Sequence, residues 1–150
     1  RCCGRAPICG EDYLGRISGP LMDRFDLRVE VPPVAFADLD LPPSGDTSAT
    51  IADRVARARD IQTARFADHP ELRVNADLEG KTLEDHASPD SEGRELIARV
   101  AERMGLTARG YHRVLRVART IADLDSSASV RKPHIAEAIS FRLSTATGGL

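Results

Sequence analysis

The sequence contains no tryptophan, and aromatic residues account for only 4% of its 150 residues. Proteins that bind single-stranded nucleic acid by stacking its bases need several exposed aromatic rings, so this composition argues against such a platform. No apolar run approaches the roughly 20 residues that a membrane-spanning helix needs. The chain does not open with a basic segment followed by an apolar one, as a secretory signal would. We therefore expect a cytoplasmic protein without a membrane partner.

An excess of charge of one sign is also lacking. The chain has 21 Lys+Arg and 23 Asp+Glu residues, which gives a formal net charge of −2. This balance excludes a protein that binds nucleic acid through its overall charge, but it leaves room for a local basic patch. The apolar share of 41% and the charged share of 29% are typical of a globular fold.

Potential metal ligands are few and poorly spaced. All cysteines fall within the first ten residues, and their odd number argues against a disulfide framework and fits a reducing compartment. This segment is either part of a zinc knuckle with further ligands upstream or a group of free thiols. The second interpretation is favoured because no His or Cys follows at ligand spacing. We expect no metal site, and we expect the scattered histidines to be exposed or to cap helices. The residues are Cys2, Cys3, Cys9, His69, His86, His112 and His134.

The first 45 residues contain the one strand-like pattern. Residues 26–31 alternate strictly between polar and apolar side chains, which predicts a half-buried strand. Two prolines follow directly, and neither can donate to a strand ladder. A linker at 34–45 ends in a Pro-Pro-Ser-Gly cluster. We therefore expect a domain boundary, with a strand-bearing segment at 1–45 and a separate domain at 46–150.

The second domain is predicted to be helical throughout. Thr47, or Asp46 before it, is expected to cap a helix that ends near Phe66, followed by a loop over 67–80 and one short turn over 81–86. The apolar stripe of this first helix is predicted to comprise Ile51, Val55, Ala58 and Phe66.

Three further helix signals follow. Ser88 with Pro89 predicts the N-cap and first position of a helix that Gly105 ends, and Pro133 opens a final helix. The fold class is therefore mainly α, a bundle of four or five helices after a short strand-bearing segment.

The helix predicted between these two carries the most informative pattern. It extends from Ala108 to about Asp125 behind a Thr107 cap. Its apolar face comprises Val114, Val117, Ala118 and Ile121. On the opposite side lie Arg109, Arg113 and Arg116, and Arg119 follows them along the helix. A row formed by the last three predicts either contacts with DNA phosphates or a solvated, ion-paired face.

Four blocks of the sequence together resemble one protein family. They are Arg-Ile-Ser-Gly-Pro-Leu-Met-Asp-Arg-Phe-Asp-Leu-Arg-Val-Glu-Val at 16–31, Gly-Asp-Thr-Ser-Ala at 45–49, the whole of 107–124, and His-Ile-Ala-Glu-Ala-Ile at 134–139. In this order they are similar to the magnesium-chelatase-like AAA+ ATPases of the ComM/YifB type, over about residues 11–143. The resemblance implies the C-terminal edge of an AAA+ core followed by its helical lid.

The resemblance also implies an activity. Proteins of this type form hexameric rings that use ATP and Mg²⁺, and ComM-type members remodel DNA by branch migration in natural transformation. The chain has no Gly-x-x-x-x-Gly-Lys-Ser/Thr loop and no apolar strand ending in an acidic pair. We expect these motifs upstream of Arg1 in a longer protein, and we expect this chain alone to bind no cofactor and to be inactive. The alternatives are a stand-alone helical DNA-binding module and a magnesium chelatase subunit acting in metal insertion.

Three residues receive roles from the resemblance. Arg24 matches the arginine finger, which acts on the nucleotide of a neighbouring subunit, and Asp23 beside it would orient the guanidinium or pair with that neighbour. Arg109 matches the sensor 2 arginine, which contacts nucleotide phosphates from the lid. Its place in the first turn of a helix suits that role, because free N–H groups and the helix dipole favour anions there. From the residues alone, a surface salt bridge and a solvated arginine are the simpler interpretations.

Overall fold

The computed structural model describes residues 16, 21, 23–36, 40–41 and 45–143. The three cysteines and residues 42–44 of the predicted linker lie outside them. The described residues form five α-helices and no sheet, which confirms the mainly α fold and the helical bundle. The helices are α1 (Ser48–Arg65), α2 (Gly80–Ala87), α3 (Ser91–Met104), α4 (Ala108–Leu124) and α5 (Lys132–Leu143), with a 3₁₀ turn at Asn75–Asp77. None of these helices has the length and apolar content that crossing a bilayer requires.

Hydroxyl caps start α1 and α4 where the sequence predicts them. Thr47 Oγ1 accepts a hydrogen bond from the Thr50 N–H at 3.2 Å, and Thr107 Oγ1 accepts one from the Gly110 N–H at 3.0 Å. Each cap satisfies a donor that the first helical turn leaves without a partner. Gly105 ends α3 at φ 59°, a left-handed conformation that favours glycine, so its predicted role is confirmed as well.

The predicted start of α3 is wrong by two residues. The cap is Asp90, whose Oδ1 accepts a hydrogen bond from the Gly93 N–H at 2.7 Å. Ser88 instead ends α2, with its Oγ donating to the Glu84 carbonyl at 2.6 Å. Pro89 forms an isolated parallel bridge with Val130, and this attachment keeps the chain extended for two more residues. The turn predicted before it is the longer helix α2.

The core surrounds α4, which contacts α1, α2 and α5, while α3 packs against α5. Burying apolar side chains here is the main driving force for folding. Three of the four residues predicted for the apolar face of α4 are buried, which confirms that face, and three residues of α5 are buried as well. These side chains are Val114, Ala118, Ile121, Ile135, Ala138 and Ile139. The predicted stripe of α1 is only half right. Ala58 and Phe66 are buried, but Ile51 and Val55 are 49% and 48% exposed, and the buried residues of the helix, Ala58 and Gln62, lie in its C-terminal half.

The strand predicted at 26–31 is not a strand. The segment has no regular secondary structure, and its apolar side chains Leu27, Val29 and Val31 are 52%, 67% and 82% exposed. Strict alternation produces a buried face only when another strand or layer covers it, and no described residue does so. The segment is attached to the bundle by its backbone, because the Arg28 N–H donates to the Phe141 carbonyl at 2.9 Å.

A buried charged cluster joins α1, the 3₁₀ turn and α4. We call Arg65, Asn75, Arg119 and Asp123 the Asp123 network. Asp123 is 1% exposed, and its carboxylate accepts hydrogen bonds from the other three side chains. Arg119 also donates to the carbonyls of residues 127 and 128 at 2.6 and 3.0 Å. The cluster therefore ties three separate parts of the chain together through one carboxylate.

The network keeps Asp123 ionised despite its burial. Burial alone would raise the pKa of Asp123, but hydrogen bonds from Arg65 and Asn75 and the charge of Arg119 hold the pKa below its ordinary value. Burial lowers the pKa of Arg119, and the attraction of Asp123 opposes that effect. Both groups are charged at neutral pH, so each depends on the other for compensation.

Candidate functional site

A basic groove of about 460 Å³ lies between α4 and the start of α2. Its lining contains one carboxylate and three guanidinium groups. The residues are Glu79, Gly80, Arg109, His112, Arg113 and Arg116. The structure therefore brings three of the four predicted α4 arginines to one surface, next to the N-terminal end of a helix. Such a concentration of positive charge and free N–H groups suits a phosphate.

Arg109 is the one exposed arginine among those that line this groove. It lies in the first turn of α4, two residues after the Thr107 cap, and it is exposed. Its side chain makes no hydrogen bond or ion pair with any residue that the structure describes. A phosphate that entered the groove would meet this guanidinium without displacing another partner.

Arg113 and Arg116 are already engaged on the walls of the groove. Arg113 is paired with Asp26 of the segment 26–31, and its side chain is 19% exposed. Arg116 donates from Nε to the Leu78 carbonyl at 2.7 Å and lies 3.5 Å from Glu79 Oε1. Both guanidinium groups contribute positive charge to the groove. Each would have to give up a contact within the protein in order to bind a phosphate.

Arg119 does not belong to the predicted row of DNA-contacting arginines. It is 2% exposed and bound to Asp123 in the buried network. Contact with a DNA phosphate would require it to break its ion pair with that carboxylate and its bonds to the carbonyls of residues 127 and 128, which is unfavourable in the core. The correction follows from its position on the helix, since Arg119 is turned toward α1 and the loop after α4 rather than toward the groove.

Arg24 lies near the same end of α4. Its side chain is exposed and, among the described residues, it makes no hydrogen bond or ion pair. The Asp23 carboxylate is bound elsewhere: Oδ1 accepts from Arg142 Nη2 at 3.1 Å, and Oδ2 accepts from Thr107 Oγ1 at 3.1 Å. Asp23 thus contacts the two helices α4 and α5, and no hydrogen bond joins it to the Arg24 guanidinium.

Arg142 is the residue that the sequence analysis did not assign to the site. It is 7% exposed at the end of α5. Burial lowers the pKa of Arg142 and the nearby Arg28 lowers it further, whereas Asp23 opposes both effects. The available signal was an arginine in line with the apolar side of the last helix, a position where a charge needs a specific partner.

Histidines and carboxylates do not gather into a metal centre in the described part of the chain, where no group of three potential ligands occurs. His134 is a capping histidine, as the sequence predicts for the histidines generally. Its Nδ1 accepts a hydrogen bond from the Arg131 N–H at 3.0 Å, and its Nε2 lies 3.3 Å from Asp125 Oδ2. It is buried all the same, at 2% exposure.

The sequence matches two family models and is similar to several known proteins. Residues 45–142 match the family described as magnesium chelatase, subunit ChlI C-terminal, and residues 1–39 match the family described as magnesium chelatase, subunit ChlI. The chain is 37% identical over 131 residues to the competence protein ComM of Haemophilus influenzae and 37% identical over 132 residues to the uncharacterised protein YifB of Escherichia coli. An uncharacterised protein of Mycobacterium tuberculosis is 37% identical over 133 residues. Each alignment covers 87% of this chain, which spans 25% of the relative's length.

Proposed function

The chain belongs to the family of magnesium chelatase ChlI C-terminal domains, and we propose that it is the lid end of a longer ring-forming ATPase of the ComM/YifB type. The proposal divides the chain into the edge of an AAA+ core at 1–45 and a helical lid at 46–150. The observation that carries it is the basic groove at the start of α4, with an unengaged Arg109, in a chain of this family. ATP hydrolysis is then the activity of the whole protein.

Two arginines have distinct roles in this proposal. Arg109 is the sensor 2 residue that holds the phosphates of a nucleotide at the groove. Arg24 is the arginine finger for the site of a neighbouring subunit, where a guanidinium stabilises the charge that develops on the transferred phosphoryl group. Support comes from the exposure of both side chains and from their lack of partners among the described residues. A side chain that must reach a separate molecule has to be free to do so.

The groove suits the nucleotide phosphates better than it suits the metal. Three guanidinium groups and a helix N-terminus provide donors for phosphate oxygens. Mg²⁺ needs oxygen ligands, and the one carboxylate in the groove, Glu79, is paired with Arg116. We therefore assign the phosphates of ATP to this chain and the Mg²⁺ ligands to the rest of the protein. ATP with Mg²⁺ supplies the phosphoryl group and the charge neutralisation for its transfer.

DNA remodelling such as branch migration, performed by a hexamer, is the finer part of the proposal. The relative from Haemophilus influenzae is named as a competence protein, and competence concerns DNA uptake. The ring follows from the finger, because Arg24 acts only on a second subunit. Among the α4 arginines, the burial of Arg119 removes one of three expected phosphate contacts, which disfavours the stand-alone DNA-binding module.

Arg109→Ala and Arg113→Ala separate the motor from a simple DNA-binding module. In the full-length protein we expect Arg109→Ala to lower kcat/KM for ATP by roughly 10- to 100-fold, because a lost charged hydrogen bond costs about 1.5–3 kcal/mol. We expect a smaller effect from Arg113→Ala, since its guanidinium already binds Asp26. ATPase rates measured with and without branched DNA, together with DNA affinity, test both.

Arg99→Ala is the matched control, because Arg99 is an exposed arginine of α3 away from the groove. It should leave both measurements unchanged. The binding module would instead be established if the Arg109 and Arg113 variants lost DNA affinity equally and kept normal ATPase rates. Each substitution would then also lower the slope of DNA affinity against salt by about one ion.

A further inference from the structure

Arg142 contacts the residues on both sides of Arg24, one through its side chain and the other through its backbone carbonyl. Its Nη2 donates to Asp23 Oδ1 at 3.1 Å, and its Nη1 lies 3.4 Å from the Phe25 carbonyl oxygen. One buried guanidinium therefore contacts the residue before Arg24 and the residue after it. The Arg142 side chain is 5% exposed, whereas the Arg24 side chain extends into solvent.

A second pair of contacts fixes the same segment further along. The Arg28 N–H donates to the Phe141 carbonyl at 2.9 Å, and Arg28 Nη1 lies 3.5 Å from the Arg142 carbonyl oxygen. Residues 23–28 are thus attached at two points to the last turns of α5. This attachment restricts the direction in which Arg24 leaves the backbone, although nothing described restrains its guanidinium.

The first turn of α4 closes around the Arg142 guanidinium. A Cβ atom on Gly110 would lie 3.3 Å from Arg142 Nη2, which is tighter than most Cβ contacts, so the start of α4 lies close against the guanidinium. The Thr107 hydroxyl donates to the same Asp23 carboxylate at 3.1 Å. The residue before Arg24 is therefore held by two lid helices at once.

We propose that Arg142 is a positioning residue for the arginine finger, and that it makes Arg24 move as part of its own subunit's lid. An arginine suits this role, because its rigid planar fork presents N–H groups to a carboxylate and a carbonyl in a fixed geometry, whereas the donors of a lysine share one nitrogen on a flexible stem. The inference rests on the proposed function, in which Arg24 is the finger. It adds that the lid sets the geometry of the finger for the neighbouring subunit's nucleotide.

The first experiment measures turnover and nucleotide affinity of Arg142→Ala in the full-length protein. We expect kcat to fall by roughly 10- to 100-fold, as a displacement of about 1 Å of a catalytic group can cause. Affinity for ATP should stay unchanged, because a finger contributes mainly in the transition state. The control is Arg131→Ala, an exposed arginine next to α5, which removes the same charge and should change neither value.

Subunit mixing distinguishes a misplaced finger from a damaged fold. Arg142→Ala subunits, which keep a competent nucleotide site, are mixed with subunits whose Walker lysine is replaced but whose finger is intact. A misplaced finger is rescued, because the partner supplies a correct one, and turnover should recover in mixed rings. A subunit with a damaged fold or nucleotide site gains nothing from its neighbour, so failure to recover would overturn the inference.

Arg24→Ala subunits in the same mixing experiment keep the inference and the proposed function apart. If they are rescued and Arg142→Ala subunits are not, the finger stands and the positioning role is wrong. If Arg24→Ala has normal turnover by itself, the finger assignment fails, and the role of Arg142 fails with it. Should Arg142→Ala not fold, Asp23→Ala carries the test, since that side chain is 31% exposed and its loss removes the bonds from Arg142 and Thr107 to the residue before Arg24.

Discussion

Replacing Arg24 with alanine in the full-length protein is expected to lower ATP turnover by roughly 10³-fold or more while ATP binding stays nearly intact. The reason is geometric, because the guanidinium acts on a neighbour's nucleotide and contributes when charge develops in the transition state. We expect this substitution to change catalysis without changing the fold. The side chain is exposed and has no partner among the described residues, so its loss should not disturb the bundle.

Turnover and nucleotide affinity should be measured on the same preparation of the Arg24 variant. Arg57→Ala is the matched control, since Arg57 is an exposed arginine of α1 and the substitution removes the same charge. Wild-type turnover in the Arg24 variant would refute the finger. A parallel loss of affinity and turnover would indicate a role at its own subunit's nucleotide instead.

Replacing Asp123 with alanine is expected to lower the free energy of unfolding by about 3–5 kcal/mol, the usual cost of breaking a buried ion pair from one side. The variant leaves Arg119 at 2% exposure, and Arg65 beside it, without their shared carboxylate. Urea denaturation measures the change. The control is Asp46→Ala, which removes an exposed pair with Arg54 and should cost about 1 kcal/mol or less. Equal costs would show that the network does not hold the bundle together.

The Asp123 network should make the stability of the fold depend on pH, and the lowered pKa of Asp123 sets the direction of that dependence. A carboxyl group with a lower pKa in the folded state than in the unfolded state stabilises the fold above its ordinary value of 3.8. That contribution disappears as the pH falls through the folded pKa. The free energy of unfolding of the unmodified chain should therefore fall as the pH drops below about 4, and this fall should be smaller in the Asp123→Asn variant.

The parts of the fold that the sequence predicts well are those decided by neighbours in the chain. The Thr47 and Thr107 caps and the Gly105 end depend on groups within four residues, so local chemistry settles them. The start of α3 was missed because it depends on a backbone bridge between Pro89 and Val130, 41 positions apart by the two residue numbers. Local signals cannot report such a contact.

The arginines show the same limit in the candidate site. Helical periodicity places Arg109, Arg113 and Arg116 on one side of α4, and the structure agrees. It turns Arg119 about 60–120° away from these three, but it does not predict the burial of Arg119, which depends on Arg65 and Asn75 arriving from other parts of the chain. The same holds for Arg142, because its partner Asp23 lies 119 positions away in sequence.

The exposed segment that follows Asp26 affects how this protein behaves in isolation. Val29, Val31, Val34 and Phe36 are 67%, 82%, 70% and 91% exposed, and a run of exposed apolar side chains promotes aggregation. A shorter polypeptide that begins at Gly45 would keep all five helices and should remain in solution at higher concentration. It would also remove Asp23 and Asp26, and so leave Arg142 and Arg113 without their carboxylates. Gains in solubility from that truncation would therefore come with a weaker junction at the start of α4.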